Sequence, residues 1–460
     1  MFYQDTIAAI ATSSKNGSIS VIRVSGEKSL SAVSNIFFNG KMESIDLEKK
    51  PTHTIQYGFI CDGEKKMDEV LVLIMKGPRS YTAEDVVEIH CHGGHYICQL
   101  ILHLLLRQGV RIAEPGEFTK RAFLNGRLDL SQAEAVMDVI QSKSQIALDN
   151  SLHQLNGDVK EKIQSLRQII LEDVAYLEAA LDDPEHISLD DFSENIEKHV
   201  KELLRETDHL IENSKNGRLI REGIRTVIIG KPNVGKSSLL NCMLRENRAI
   251  VTDEPGTTRD TLEEDIVIGN TLLHLIDTAG IHKTKHKVEA IGIERTKESI
   301  DTADFVIGVF DASESLSQED QEIFQLMESR PGIILLNKTD LPQKIEEKDL
   351  LNYSEKQVIS FSAATGEGLE QLEQVINQQM IEQKIEITQE LYITNARQKE
   401  SLLQTRESLN QVMESIQIGM PEDLYAIDLT NAYESLGKII GETVEEDIIE
   451  KIFRDFCMGK

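Results

Sequence analysis

The chain has no excess of positive charge: Asp and Glu number 78 against 49 Lys and Arg, a formal net charge of −29. That balance excludes a whole-surface electrostatic grip on nucleic acid or anionic lipid. Cysteine is scarce. The five thiols, at positions 61, 91, 98, 242 and 457, form no dense framework, and their odd number suits a reducing cytosol. Long apolar runs are missing too, because stretches such as Val70–Met75 fall far short of a membrane span. The opening segment, MFYQDTIAAIATSSKNG, joins no basic region to an apolar one, so no secretory signal is expected. Neither an internal repeat nor a low-complexity tract is visible. The expectation is a soluble intracellular protein.

Apolar material is plentiful. A chain of 460 residues, 40% hydrophobic and 28% charged, holds two to four globular domains. Charge is unevenly spread: residues 1–120 carry 13 basic and 14 acidic side chains, which leaves −28 on the remainder. Ser18–Val24, Glu69–Met75 and Asp85–His92 are β-branched-rich, strand-like runs, and His95–Leu106 reads as a helix after Gly93-Gly94. From about Phe123 the period changes. Leu152, Leu155, Val159, Ile163, Leu166, Ile170, Val174, Leu177 and Leu181 recur at steps of three and four, predicting one long amphipathic helix. A second helix is expected from about Phe192 to Ile211, with Asn216-Gly217 as a break.

Between about Ile224 and Gln379, strand-like runs alternate with helical segments, which implies a doubly wound parallel sheet. Helical periodicity returns with Leu402, Leu409, Val412 and Ile416, then with Leu436, Ile440, Val444, Ile448 and Ile452. The simplest arrangement is one helical domain interrupted by an inserted α/β unit.

That unit carries four ordered motifs. Gly230, Gly235, Lys236 and Ser237 form G-x-x-x-x-G-K-S directly after a strand-like run and before a helix-like one. Backbone N–H groups of such a loop wrap phosphate oxygens, Lys236 adds a point charge and Ser237 ligates Mg²⁺. Asp277, Thr278, Ala279 and Gly280 close the next strand on the metal side of the phosphates. Asn337, Lys338 and Asp340 follow another strand. The Asp340 carboxylate accepts from the ring N–H and exocyclic amine of guanine, a donor pair that adenine does not present. Ser362, Ala363 and Ala364 lie where a backbone N–H reaches the guanine oxygen. The combination predicts GTP binding. Ile281 stands where Ras-like GTPases hold a water-orienting glutamine, so hydrolysis must draw on another group.

With IVTDEPGTTRDT at 250–261, IGIERT at 291–296, LNGRLDLSQAEA at 124–135 and the tail Cys457-Met458-Gly459-Lys460, the chain resembles the MnmE (TrmE) family of bacterial tRNA modification GTPases from end to end. The resemblance implies four segments: 1–120, a tetrahydrofolate-binding and dimerising α/β domain; 121–216, the first part of a discontinuous helical domain; 217–380, an inserted Ras-like P-loop GTPase domain; and 381–460, the second helical part. It implies a homodimer that, with the flavin- and NADH-using partner MnmG, modifies carbon five of the wobble uridine in certain tRNAs. The added group is carboxymethylaminomethyl or aminomethyl, its one-carbon bridge drawn from 5-formyl- or methylene-tetrahydrofolate. The tRNA is held through the complex, in the cytoplasm and away from membranes.

Residue by residue, the resemblance implies a K⁺ site from Asn233 with Thr252, Glu254 and Thr257, and Mg²⁺ held by Ser237 and Thr258. The nucleotide would be lined by Asn233, Val234, Gly235, Lys236, Ser237 and Ser238, by Thr252, Asp253, Glu254, Pro255, Gly256, Thr257 and Thr258, and by the three later motifs. Catalysis would fall to Lys236, Asn233 with its K⁺, and Glu289, twelve residues beyond Asp277, which orders the attacking water. Folate would be held by Arg23, Glu88, Arg127 and Lys460. The family has lysine in some members where Arg127 stands, and usually a branched residue where Met458 stands.

Two other readings compete. His90, Cys91, His92, His95 and Cys98 are the densest ligand-like cluster, but in a strand His90 and His92 share one face while Cys91 takes the other, which disfavours zinc. A regulatory GTP switch without a chemical role would need neither the folate residues nor the terminal Cys-Met-Gly-Lys.

Overall fold

The computed structural model describes residues 5–12, 17–183, 186, 192–246, 264–269, 271–276, 299–382, 393–442, 444, 446–454, 456–457 and 459. The architecture is multidomain, with α/β and all-α parts. The chain divides into two compact units, Met1–Met137 with Gln154–Ala179 and Thr430–Lys460, and Asp138–His153 with Ala180–Leu429.

In the first unit β1 (Ile7–Ile10), β2 (Ile19–Ser25), β3 (Phe37–Asn39), β4 (Thr54–Asp62), β5 (Lys65–Met75), β6 (Val86–His92) and β7 (Arg111–Ile112) form a sheet in the order β3-β4-β5-β6-β2-β1-β7. All neighbours are antiparallel except β1 and β7. The period of two decides what each face carries. Ile22 and Val24 of β2, with Val87, Ile89 and Cys91 of β6, join Cys98, Ile101 and Leu105 of the helix His95–Arg107 in one core. Each such side chain contributes about 1.5–3 kcal/mol when buried. Arg23 and Glu88, at the alternate positions, are thereby turned to the opposite face, where Ile7, Ala9, Ala113 and Phe118 form a smaller cluster with Tyr81 against it. The helix Glu446–Arg454 packs Ile449 and Phe453 against Leu130, Ala133 and Met137.

The second unit contains β8 (Ile224–Ile229), β9 (Glu264–Ile268), β10 (Thr271–Leu275), β11 (Phe305–Asp311), β12 (Gly332–Asn337) and β13 (Val358–Ser360), in the order β13-β12-β11-β8-β10-β9. Every residue of β11 and β12 is buried, as expected of parallel strands covered on both faces. The chain leaves β8 towards β10 on one side and later returns to β11 on the other. That reversal puts a crevice at the carboxyl end of β8. The helices Phe192–Glu222 and Ala396–Gln417 flank the sheet region in sequence and pack together, with Val200, Leu203, Leu402 and Leu409 fully buried.

Four local expectations are corrected. The single helix through Leu152–Leu181 is two, Gln145–Asn156 and Asp158–Asp182, because Gly157 between them adopts φ +103°. Both ends of the expected seam are exposed, Leu152 by 40% and Leu181 by 48%. Asn216-Gly217 does not end a helix, since Phe192–Glu222 runs through it. Glycine serves close approach there: a Cβ would lie 2.2 Å from the Ile393 carbonyl oxygen. The C-terminal seam restarts after Gly441, at φ +88°, which shifts its phase and exposes Ile448 while burying Ile449 and Phe453. Finally, β9 is an antiparallel edge strand on the otherwise parallel sheet.

Candidate functional site

The loop between β8 and the helix Lys236–Glu246 is shaped by what its backbone tolerates. Asn233 takes φ +63° and Gly235 φ +104°. A Cβ on Gly235 would lie 2.1 Å from Asn337 Nδ2, so no other residue fits beneath that amide. The Lys236 ammonium donates to the carbonyl oxygens of Gly230 at 2.6 Å and Lys231 at 2.8 Å, closing the loop on itself. Burial pushes this lysine down to about 8, because its charge is desolvated. The N-terminus of the following helix adds backbone N–H donors and the positive end of a dipole. Val234 is buried, Ser237 half-buried, and Asn233 and Ser238 exposed. Lys231 anchors the loop from below, its ammonium 2.7 Å from Asp320 Oδ2 and within hydrogen-bond distance of Ser317 Oγ, 3.2 Å.

The two later loops converge on the same strand ends. Asn337 donates from Nδ2 to the Val234 carbonyl at 2.7 Å and accepts from the Ala363 N–H at 3.0 Å. Its amide is thus a staple joining the phosphate loop to the 362–364 loop, a role that the motif's spacing does not reveal. Lys338, at φ +65°, places Nζ 2.5 Å from Asp311 Oδ2. Burial raises the Asp311 carboxyl, but the bonds from Lys338 and Ser313 outweigh it and hold the group below its usual range. Asp340 is exposed and accepts from Ser362 Oγ at 2.7 Å, which fixes its plane. The Ala363 N–H is taken by Asn337, whereas the exposed Ala364 is bound to no acceptor among the described residues. Thr252, Asp253, Glu254, Pro255, Gly256, Thr257 and Thr258, Asp277, Thr278, Ala279 and Gly280, and Glu289 lie outside the described residues.

A second cluster occupies the open face of the first unit. Arg23 and Glu88 are register partners on β2 and β6, with Arg23 Nε donating to Glu88 Oε1 at 2.8 Å. Arg23 Nη1 reaches the Gly459 carbonyl at 3.3 Å, 436 residues along the chain. Gly459 allows this approach: at φ +87° its Cβ would lie 2.7 Å from Ala11 Cα. The Arg23 guanidinium lies 4.8 Å from the Tyr81 ring centre and 5.5 Å from that of Phe118. Arg127 approaches the Tyr81 ring as well, at 5.0 Å, and donates to the Tyr81 carbonyl at 2.9 Å. Of the four residues singled out for folate, Arg23 and Arg127 therefore meet at Tyr81, Glu88 is held by Arg23, and Lys460 lies outside the described residues. Tyr81 itself was missed, since no spacing marks it.

Beside this cluster Arg121 is fully buried, bound to Asp5 at 2.7 Å, Glu117 at 3.0 Å and Glu84 at 3.3 Å. Asn125 holds the Thr82 carbonyl at 2.7 Å, and the Tyr81 hydroxyl shares a 2.8 Å hydrogen bond with Thr119. The Tyr81 loop is therefore fixed by the helix Glu117–Leu124. Of the ligand-like cluster, Cys91 and Cys98 face each other in the core at 3.9 Å, and His92 binds Asp68 at 2.6 Å.

A glycine-rich turn wrapped by its own lysine, at the reversal point of a parallel sheet and stapled to a loop bearing a free-edged carboxylate, defines a P-loop protein of the guanine-nucleotide class. The particular family follows from the whole chain. Residues 6–127 match the model of the GTP-binding protein TrmE N-terminus and residues 130–457 that of the MnmE helical domain. The tRNA modification GTPase MnmE of Lachnoclostridium phytofermentans is 51% identical over 99% of both chains. Those of Clostridioides difficile and Thermoanaerobacter pseudethanolicus are 46% and 47% identical over 100% and 99% of both. The chain belongs to the MnmE family of tRNA modification GTPases.

Proposed function

We propose that this protein is a potassium-activated GTP hydrolase that acts with MnmG to place a carboxymethylaminomethyl or aminomethyl group on carbon five of the wobble uridine of certain tRNAs, in the cytoplasm. Residues 1–120 bind tetrahydrofolate and form the homodimer, 217–380 hydrolyse GTP, and 121–216 with 381–460 make the helical domain. What supports this reading most is the presence, in one chain, of a guanine-nucleotide loop set and of the Arg23–Glu88–Gly459 cluster. A nucleotide switch has no use for the second.

Asp340 reads the guanine edge, and Lys236 neutralises the β/γ-phosphates as charge moves onto them. Mg²⁺ would be held by Ser237 with Thr258 and would polarise the terminal phosphates. Asn233 fits a K⁺ ligand: it is exposed at the loop's crest, and its side-chain amide binds nothing among the described residues. Thr252, Glu254 and Thr257 complete that set, and the ion supplies the positive charge that an arginine finger supplies elsewhere. Glu289 orders water in place of the glutamine that Ile281 replaces. In the other unit the guanidinium groups of Arg23 and Arg127 suit carboxylates, and Glu88 suits the N–H edge of a pterin. When bound, the folate supplies a one-carbon unit. Turnover in matched KCl and NaCl, together with nucleoside analysis of tRNA from cells lacking the protein, tests the reading. Equal rates in both salts remove the potassium role, and unchanged wobble uridine removes the tRNA role.

A further inference from the structure

The loop between β5 and β6 carries Tyr81 on a backbone that needs support. Ala83 takes φ +62°, a conformation that a residue with a Cβ adopts only under constraint. Side chains from outside the loop supply that constraint. The Tyr81 hydroxyl shares a hydrogen bond with Thr119, Arg127 donates to the Tyr81 carbonyl, and Asn125 donates to that of Thr82. Ser25 Oγ lies 2.6 Å from Thr82 Oγ1 and donates to Glu84 Oε2 at 2.7 Å. The buried Arg121 holds the same Glu84 carboxylate. The Tyr81 ring is therefore fixed before any ligand arrives.

What the loop fixes is an aromatic face under two cations. The guanidinium carbons of Arg23 and Arg127 lie over the ring, 4.8 Å and 5.0 Å from its centre. The two arginines are not equivalent. Arg23 is also held by the Glu88 carboxylate and the Gly459 carbonyl. Arg127 is exposed and meets no carboxylate among the described residues, and both described contacts of its guanidinium are with Tyr81. A ring face attracts a guanidinium and keeps its plane. Without the ring, an exposed arginine regains its rotamer freedom. With the ring, the remaining N–H donors of Arg127 are a pre-aimed fork, and a fork of that kind suits a carboxylate. We propose that Tyr81 is the positioning residue of this site, its ring aiming Arg127 at a carboxylate on the glutamyl tail of the ligand. Glu88 is left to the pterin end. The inference rests on the folate binding in the function proposed above.

Calorimetry on the full-length chain decides it, with 5-formyltetrahydrofolate and with its glutamyl diamide, which keeps the shape of the tail and removes its charge. The parent should prefer the acid by about tenfold or more. Tyr81→Leu fills the apolar part of the half-buried ring's place and should lose most of that preference, whereas Tyr81→Phe keeps the ring and should keep the preference. Arg127→Ala, at an exposed position, should lose it as well. Combining Arg127→Ala with Tyr81→Leu should add little to either loss, because both act through one guanidinium. A Tyr81→Leu variant that retains the parent's preference, or that weakens both ligands equally, makes the ring a packing element only and overturns the inference. Losses from Tyr81→Leu and Arg127→Ala that add in full overturn it too. A parent that binds acid and diamide equally well overturns it while leaving folate binding in place. A parent that binds neither removes the folate reading and the inference together.

Discussion

Lys236 and Arg23 are both half-buried cations at the two candidate sites, and they are held in opposite ways. Arg23 lies against the Glu88 carboxylate, a pair with 13% and 15% side-chain exposure. Lys236 has only the neutral carbonyls of Gly230 and Lys231 as described partners, and burial pushes it down to about 8. A cation already matched by a carboxylate positions a ligand; a desolvated one without a counter-charge attracts an anion. The first unit extends the matched pattern to Arg111 and Arg121. Burial raises the Glu117 carboxyl, but Arg111, then the Glu114 N–H and then Arg121 bring it below its usual range.

The largest break in that contrast comes from Arg121→Met. It leaves Asp5, Glu84 and Glu117 around an apolar side chain, and removing one member of a buried ion network costs about 3–5 kcal/mol. Scanning calorimetry should show the transition of the first unit lowered while GTP hydrolysis at room temperature persists. Lys236→Met, by contrast, removes a charge that meets no carboxylate among the described residues, leaves unfolding unchanged and cuts hydrolysis by about a hundredfold or more. Equal melting of the two variants would dissolve the distinction between the sites.

Next in size is an exchange of specificities. Asp340→Asn should weaken GTP by about 3 kcal/mol, the worth of two hydrogen bonds to a charged acceptor, and should favour xanthosine triphosphate, leaving folate binding alone. Arg23→Ala should do the reverse. Binding of 5-formyltetrahydrofolate falls by about 1.5–3 kcal/mol and GTP turnover is unaffected. Calorimetry with both ligands on both variants reads all four outcomes. A folate affinity undiminished in Arg23→Ala excludes that guanidinium from the site.

The two sites also differ in how far the sequence reveals them. In the nucleotide loop each residue is dictated by its own backbone: Gly235 because nothing larger fits under Asn337, and Lys236 because it bridges carbonyls five and six residues away. Such constraints leave a fixed spacing. Arg23, Glu88 and Arg127 are ordinary surface-type charges whose meaning comes from a strand register and from a tail 436 residues distant. They were singled out through family resemblance alone, and Tyr81, which Arg23 and Arg127 both approach, was not singled out. In the fold, β2, β5 and β6 were legible because alternation and β-branching coincide. The helix breaks at Gly157 and Gly441 were not, because an apolar seam continues in sequence across a glycine that resets its phase. Gly217 misled in the opposite sense. Its small size accommodates the Ile393 backbone, and no local pattern distinguishes that from a turn.

The smallest expected effect sharpens the comparison most directly, because it measures the desolvation of Lys236 itself. With Lys236 near 8 in the free protein, about half of the molecules carry a neutral amine there at pH 8. A triphosphate brought against the ammonium favours the charged form and raises its pKa. Binding above pH 8 therefore takes up a fraction of a proton, and GTP affinity falls as pH rises, by at most about tenfold per unit, until the bound-state value is reached. Below pH 7 the lysine is charged in both states and the dependence disappears. Titrations at pH 8.5 in buffers of different ionisation enthalpy should give apparent binding heats that differ between buffers, and Lys236→Met should abolish that difference. Arg23, whose charge Glu88 already balances at 2.8 Å, should contribute none of it to folate binding. Buffer-independent heats for GTP at pH 8.5 would mean that Lys236 is already fully charged before the nucleotide arrives, and the contrast between the two cations would be lost.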